Sequence, residues 1–545
     1  VIEPVVSDRR AVAESSLGRH IADMDPEKVN YHYCDDLLTR PRADIRRILV
    51  TGANGYVAHR LIPELVHRGY RVRCMVRNRH TPTVLTHPLI EYVFADCLCR
   101  DELAAALKDV DVAYYLIHSM RLKKEEFQDK DLAAARNFSA MADACGLKQV
   151  IYLGGLGEID DQRMSEHLRS RMEVGNTLAR GKTPVVRLRA GIIIGTGSAS
   201  FELMKSLVLH TRWVPFLAEF NSKCQPIAIR DVIRYMVGVL ENPDIGPGTY
   251  AIGGPDVFTY KEILRRVAGI YGCRVRFIDV SWIPLPIGWL CRIFAHWLAL
   301  FVTVPVNIIS LLLNSLKTDV VCTTNEIMRF LPFEPMGFDT AVRWVQEKEK
   351  NAQVYSHWGG VRPDAMQDLM PLCEYEASTV IVDEHCIRIP APPEKVFDIV
   401  RRVGGEFGWV HANTLWQIRG SIDKVLGGVG LSRGRRDPHR LRVGDAVDFW
   451  RVEKLEPGRE LLLRAELLSP GLSWLQFVLE TLASGDTLLT LRAHFIPLPF
   501  WGRIYWAVLS KFHDYIFMGM LDFFYRESLK KDDPAHSAEA SRERI

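Results

Sequence analysis

The stretch Arg47-Ile-Leu-Val-Thr-Gly-Ala-Asn-Gly-Tyr-Val-Ala58 constrains this chain more than any other. An apolar strand runs into two glycines three apart, and a helix is predicted from residue 59 to 67. In the spacing Gly52-x-x-Gly55-x-x-Ala58, Gly52 permits a tight turn, Gly55 lets another group approach the backbone, and Ala58 lets the helix pack closely on the strand. Such a turn aims the unpaired N–H groups of a helix N-terminus, and the positive end of its dipole, at one point where a pyrophosphate is held. Asn54, Tyr56 and Val57 complete that turn and count among its candidate contacts. A purely structural strand-to-helix turn is the plain alternative.

The chain beyond this turn repeats the strand and helix alternation. Apolar runs at 47–50, 70–76, 90–95, 110–117, 149–153 and 185–188 are predicted strands, with helices at 101–107 and 125–145 between them. Strict alternation argues for an α/β fold, a doubly wound parallel sheet of Rossmann type covered on both faces. The second strand ends in Arg77-Asn78-Arg79, where an enzyme using NAD would set a carboxylate against the ribose 2′-hydroxyl. A guanidinium suits a 2′-phosphate, so NADP(H) is favoured over NAD(H), with a solvated basic turn as the bland reading. Asp96, ending the third strand, is placed to meet the adenine ring or to serve as an ordinary loop aspartate.

At 545 residues the chain exceeds one compact domain. Hydrophobic residues make up 48% and the formal charge is only +3, so nothing in the composition points to nucleic acid. The 11 cysteines are scattered, without Cys-x-x-Cys or His-x3-His spacing, so no metal site or disulfide framework is expected and a reducing, cytoplasmic setting fits. Residues 1–44 lack a sustained period and read as an arm that wraps the next domain. The opening Val-Ile-Glu-Pro has neither an initiator Met nor a signal segment, which suggests a removed N-terminus.

Beyond the glycine turn, Ala113-Tyr-Tyr-Leu-Ile-His-Ser-Met120, Tyr152-Leu-Gly-Gly-Leu-Gly157, Ser165-x-His-Leu-x-Ser-Arg171 and Arg187-x-Arg-Ala-x-Ile-Ile-Ile-Gly195 carry a resemblance. Together they resemble the atypical, extended short-chain dehydrogenase/reductases, and within them the bacterial NmrA-like proteins with a C-terminal domain of unknown function. The similarity runs over about residues 45–527. It implies a cofactor-binding domain at 45–281 whose segments Gln225-Pro-Ile-Ala-Ile-Arg-Asp231 and Tyr250-Ala-Ile-Gly-Gly-Pro255 build the substrate side. His118 and Ser119, at the carboxyl end of the fourth strand where ligands in such sheets bind, are placed for cofactor or substrate contact, and Tyr152 is a further candidate contact. The usual members relay a proton through a Tyr-x-x-x-Lys pair.

None of the 17 tyrosines has a lysine four positions on, and Gly154 and Gly155 stand where the helper serine belongs. The expected place reads His167-Leu-Arg-Ser-Arg171, whose ends share a helix face. A histidine beside a guanidinium tends to stay neutral, leaving His167 as an acid/base and Arg171 as a fixed cation for a developing oxyanion. An exposed polar helix face is the alternative. His118, at the carboxyl end of the fourth strand, is the other candidate for the proton.

Residues 282–316 are almost wholly apolar but broken by Pro284, Pro286 and Pro305, and the longest stretch between prolines, 287–304, is barely the roughly 20 residues a bilayer crossing needs and carries Arg292, so a crossing is not expected. Peripheral contact with the inner face of a membrane, a homo-oligomer surface and an active-site lid remain the readings of this segment. Residues 282–375 are read as this apolar segment with a helical linker. From 376 to 529 the strand Val380-Ile-Val-Asp-Glu-His-Cys-Ile-Arg-Ile389, further strands and a long helix at 502–526 resemble the START-like superfamily, an α+β layout in which a curved sheet grips a helix around a hydrophobic cavity. That implies a hydrophobic small molecule or lipid as partner, with His411, Asp448, Arg451, Glu466, His494 and His513 as the polar candidates inside the cavity. Five arginines in 430–442 are a candidate anion-binding turn, and 530–545 read as a disordered tail.

Overall fold

The computed structural model describes residues 32–77, 85–117, 124–157, 165–216, 221–280, 294–295, 309–310, 313, 318–322, 324–350, 371–375, 380–425, 428, 430–437, 440–497 and 501–530. His118, Ser119, Asn78, most of 282–316 and the tail 531–545 lie outside them. The chain forms two compact units, 1–368 and 369–545.

The first unit is built on seven strands, β1 (Arg47–Thr51), β2 (Arg71–Val76), β3 (Ile90–Phe94), β4 (Val112–Tyr115), β5 (Gln149–Gly155), β6 (Val185–Ala190) and β7 (Gly248–Ile252). All pair in parallel in the order β7-β6-β5-β4-β1-β2-β3. The order reverses between β1 and β4, and in such open sheets a ligand settles in the crevice outside the carboxyl ends at that switch. Helices α1 (Ala58–His67), α2 (Arg100–Leu107), α3 (Lys124–Cys145) and α4 (Glu166–Leu178) connect the strands. Later helices are α5 (Ala199–His210), α6 (Ile229–Glu241), α7 (Tyr260–Ile270) and α8 (Phe338–Lys350). Leu49, Val50, Val112, Ala113 and Val186 are fully enclosed, because a parallel sheet has helices on both faces.

The predicted strands and helices of 45–190 recur within a few residues. The borders of the unit do not. Tyr33, Cys34 and Leu37 are buried in the main core, and Arg68 ties that segment down through the carbonyls of Cys34 and Thr39 and the carboxylate of Glu241. The described part of the expected arm is therefore integral to the domain. So is α8, expected as linker: Phe338, Ala341, Val342 and Val345 are buried, and Glu349 accepts from Lys205 and Tyr271 at 2.7 and 3.1 Å. Within 282–316, Phe294, Ala295, Ile309 and Leu313 are buried in the same cluster as α5 and α7. Those four positions face protein and are closed to lipid. Among the described residues no helix is long and apolar enough to cross a membrane.

The second unit is an antiparallel sheet with a long helix. Strands β8 (Ile381–Ile389), β9 (Ala446–Val447), β10 (Trp450–Glu456), β11 (Glu460–Ala465), β12 (Gly471–Thr481) and β13 (Thr487–Pro497) pair in the order β8-β13-β12-β11-β10-β9. Helices α9 (Pro393–Val400), α10 (Asn413–Val425) and α11 (Trp501–Ser528) cover one face, where Val452, Leu463, Leu475, Phe477 and Leu491 meet Phe517, Met520 and Phe524. The expected strand at 446–454 is split, because Asp448 turns the chain with φ at 55°. Along α11 a second apolar row, Ile504, Val508, Phe512, Tyr515 and Met518, is exposed.

Candidate functional site

At the switch point Gly52 has φ at +61°, and a Cβ there would lie 3.1 Å from the carbonyl oxygen of Leu116. The Thr51 hydroxyl fixes the other side of that contact, donating to the Tyr114 carbonyl at 3.2 Å and accepting from the Leu116 N–H at 2.9 Å. The turn closes with Gly55 N–H on the Gly52 carbonyl at 2.8 Å, and α1 begins as His59 N–H reaches the Gly55 carbonyl at 3.0 Å. Among the described residues, the N–H groups of Tyr56 and Val57 make no backbone hydrogen bond. Two donors, a bare Gly55 and a helix dipole therefore meet at the carboxyl edge of the sheet, and these residues fit a pyrophosphate.

The Tyr56 side chain packs against Gly195 and Arg60. Its hydroxyl sits where a Cβ on Gly195 would be, 2.3 Å distant, and the Arg60 guanidinium stacks 4.0 Å from its ring while holding Thr196. Gly195 and Thr196 were invisible as its supports, since 139 residues separate Tyr56 from Gly195. His59 Nδ1 lies 3.1 Å from the Gly55 carbonyl, and burial holds its pKa down to about 4. Arg77 is exposed at the end of β2 and its charge acts on the Cys97 thiol at the end of β3. Asp96 shapes its own loop, with Oδ1 accepting from the Leu98 N–H at 2.9 Å.

Helix α4 starts at Ser165, whose hydroxyl accepts from the Leu168 N–H at 3.3 Å, and this cap sets His167 and Arg171 over β5. Gly155 makes the close approach possible, for a Cβ there would be 2.7 Å from the Leu168 side chain. Of the two glycines that stand where the helper serine belongs, Gly155 is thus a seat for the helix and Gly154 leaves room for the Tyr152 ring. Arg171 donates to the Leu153 carbonyl, and the Tyr152 hydroxyl donates to the Arg171 carbonyl at 2.8 Å. Tyr152 is buried between sheet and helix beside Tyr115, so its ring serves that packing. His167 is pulled down to about 3, by burial first and by the Arg171 charge second. Gln225 knits the substrate side, donating to the Gly254 carbonyl at 2.6 Å and accepting from Cys322 N–H at 2.9 Å.

The His167 shift has a consequence for stability. The unfolded histidine, at its ordinary 6.5, takes up a proton before the folded one at about 3. Stability from keeping it neutral is complete above pH 6.5 and falls as pH drops toward 3. His59 acts in the same sense, and Glu64, raised by burial to about 7, in the opposite one. In thermal melts between pH 7 and 4.5, His167→Gln is expected to lose less stability than the parent; an equal loss would count against the buried, neutral histidine.

The polar candidates of the second unit do not converge. Alternation along the strands puts Arg451, Glu466 and His494 on the face away from α11, with His494 on Gln476 at 2.8 Å. Asp448 accepts from the Trp409 indole at 2.9 Å, and His513 pairs with Asp383 at 2.9 Å. Arg435 donates to the Arg401 and Val403 carbonyls and Arg436 pairs with Asp445, so two of the five loop arginines are spent inside the fold.

Residues 52–183 match the family described as NAD(P)H-binding. The N-terminal unit carries an NAD(P)H-binding domain. Residues 377–520 match a second family, described as a protein of unknown function (DUF2867), so the C-terminal unit is a DUF2867 domain. The chain is 23% identical over 235 residues to the mitochondrial NADH dehydrogenase [ubiquinone] 1 alpha subcomplex subunit 9 of Arabidopsis thaliana, covering 41% of this chain and 58% of that protein. It is 22% identical over 233 residues to the ceramide reductase of Caulobacter vibrioides, covering 42% of this chain and 72% of that one. The chain thus spans less than two thirds of the plant protein. Among solved structures, a nucleoside-diphosphate-sugar epimerase from Staphylococcus aureus is 13% identical with a TM-score of 0.45, covering 55% of this chain and 99% of its own.

Proposed function

We propose that this chain is an atypical NADP(H)-dependent oxidoreductase acting on a hydrophobic small molecule. The single observation that carries the redox half is the Gly52 to Ala58 turn at the switch point, with its unpaired N–H groups. NADP(H), when bound, supplies or accepts the hydride. The chain's own residues then orient the carbonyl and exclude water. His167, neutral at working pH, donates a hydrogen bond to the substrate oxygen, the Arg171 cation steadies the negative charge that the hydride leaves there, and the proton that completes the alcohol comes through His167 or His118 and is replaced from solvent. Ser119 and Asn78, read from the sequence, stay in the proposal as cofactor contacts, and His118 as the other candidate for the proton. Similarity to a protein named ceramide reductase supports an apolar substrate. The sheet and long helix of the DUF2867 domain support a START-like ligand-binding role, and the exposed apolar row of α11 supports contact with lipid.

The test is NADPH oxidation against a panel of apolar ketones and enones. His167→Ala is expected to lower kcat about 100-fold, the range of one oxyanion donor, without moving any inflection between pH 5 and 9. Parent activity in that variant would remove His167 from the chemistry. Arg77→Ala is expected to weaken NADPH about 10-fold and leave NADH unchanged, as for loss of one charge-assisted contact. Equal loss for both nucleotides would end the preference for NADP(H).

A second reading, a holder or sensor of NADP(H) that turns nothing over, is favoured by the missing Tyr-x-x-x-Lys pair and by the hold of the Leu153 carbonyl on Arg171. Purified chain that retains one nicotinamide, unoxidised by every carbonyl in the panel, would select it.

A further inference from the structure

We infer that His32, Asp35 and His67 form a binding site for a divalent transition-metal ion, zinc by chemistry, which clips the N-terminal segment to the far end of α1. A ring nitrogen of each histidine and a carboxylate oxygen of Asp35 all lie within 4.8 Å of one another. Two of the three are already at ligand spacing, with His67 Nε2 3.0 Å from Asp35 Oδ1. The two imidazoles stack with centroids 3.7 Å apart and planes 22° from parallel, so the rings are already neighbours and an ion between them would be reached by rotating them out of the stack. His32 Nδ1 is enclosed and makes no hydrogen bond. A buried imidazole nitrogen without a partner is a polar group whose desolvation is unrepaid, and a metal would repair it.

The electrostatics agree. His67 is the last residue of α1, where the helix dipole presents its negative end to a cation. The nearby Arg68 charge is taken up by Glu241. Two imidazoles and one carboxylate make a borderline set suited to zinc and its transition-metal neighbours, whereas calcium and magnesium require oxygen. Three protein ligands leave a position for water. The site is nevertheless structural in place: α1 has 10 residues, about 15 Å of helix at 1.5 Å per residue, between it and the glycine turn. Its ligands come from two segments, 32–35 and 67, that core residues Tyr33, Cys34 and Leu37 already hold together, so the metal closes a loop the fold has brought near.

The experiment uses the full chain, stripped with a chelator and titrated with zinc chloride and, separately, cobalt(II) chloride. One equivalent bound at micromolar affinity or tighter, a raised melting midpoint and a cobalt spectrum without thiolate charge-transfer absorption are expected. His32→Ala and Asp35→Asn should each weaken zinc at least 10-fold and leave the NADPH affinity unchanged. The Asp35 side chain is mostly exposed, so its variant keeps the fold and reports even where the histidine variant does not. Absence of zinc binding, undiminished binding in Asp35→Asn, or a thiolate signature placing the ion on cysteines would each overturn the site.

Discussion

Gly55→Val is expected to raise the Kd for NADPH at least 100-fold while the secondary structure and melting midpoint of the N-terminal unit change little. The two outcomes separate because of where a side chain at 55 would go. Its Cβ would meet only the Gly52 carbonyl, 3.0 Å away, within the turn itself, so no core residue has to move. The rest of the side chain would fill the space beside the free Tyr56 and Val57 N–H groups, where a diphosphate must come within hydrogen-bond distance. A 100-fold loss corresponds to about 2.7 kcal/mol, about what one or two charge-assisted hydrogen bonds contribute. Gly52→Ala is the contrasting control. It forces a side chain into left-handed backbone, costing about 1–2 kcal/mol, and crowds the Leu116 carbonyl at 3.1 Å, so fold and binding should fall together. Parent-like NADPH affinity in Gly55→Val, measured by fluorescence titration, would reduce the turn to a structural element and remove the support for any redox reading.

The contrast between these two glycines also shows what could be read from residues alone. The turn was legible because its spacing is local: strand, glycines and helix fall within a dozen positions. The six expected strands and the long C-terminal helix were legible for the same reason, their periods being written in consecutive residues. What escaped depends on contacts between distant segments. The Rossmann sheet gains a seventh strand at Gly248–Ile252, paired with β6, from a stretch read only as substrate side. Phe338 and Val345 follow a helical period that says nothing about which core they enter, so α8 passed for a linker. Tyr152 lay in a cofactor-like motif, yet its hydroxyl is committed to the Arg171 carbonyl. A side chain on a strand has two faces to choose from, and only the packed helix decides. The histidine and aspartate cluster at the end of α1 escaped for the simplest reason, since no metal spacing spans 32 to 67.

The same two-faced property of strands governs the largest expected loss of stability, in Glu466→Ala. Arg451 is paired through both nitrogens of its fork with Glu466, at 2.6 and 2.8 Å, and the two side chains are 1% and 0% exposed. Arg464 stands directly opposite Arg451 in the ladder and is 2% exposed; its Nη2 is 4.0 Å from Glu466 and its Nε 3.7 Å from Glu453. Like charges across a strand pair repel, so Glu466 neutralises one guanidinium directly and screens the second. Removing it leaves a buried, uncompensated cation, which costs about 3–5 kcal/mol, a large part of the roughly 5–15 kcal/mol that holds an ordinary domain. Arg451→Leu combined with Glu466→Leu removes both charges together, and is expected to recover most of the loss because buried ion pairs repay little more than their own desolvation. Hydrogen exchange of the β10 to β13 amides in the full chain reads the C-terminal unit by itself. Protection there should collapse in Glu466→Ala and return in the double variant. A single variant as protected as the parent would mean that solvent reaches these arginines, and the closed polar face of this sheet would be wrong.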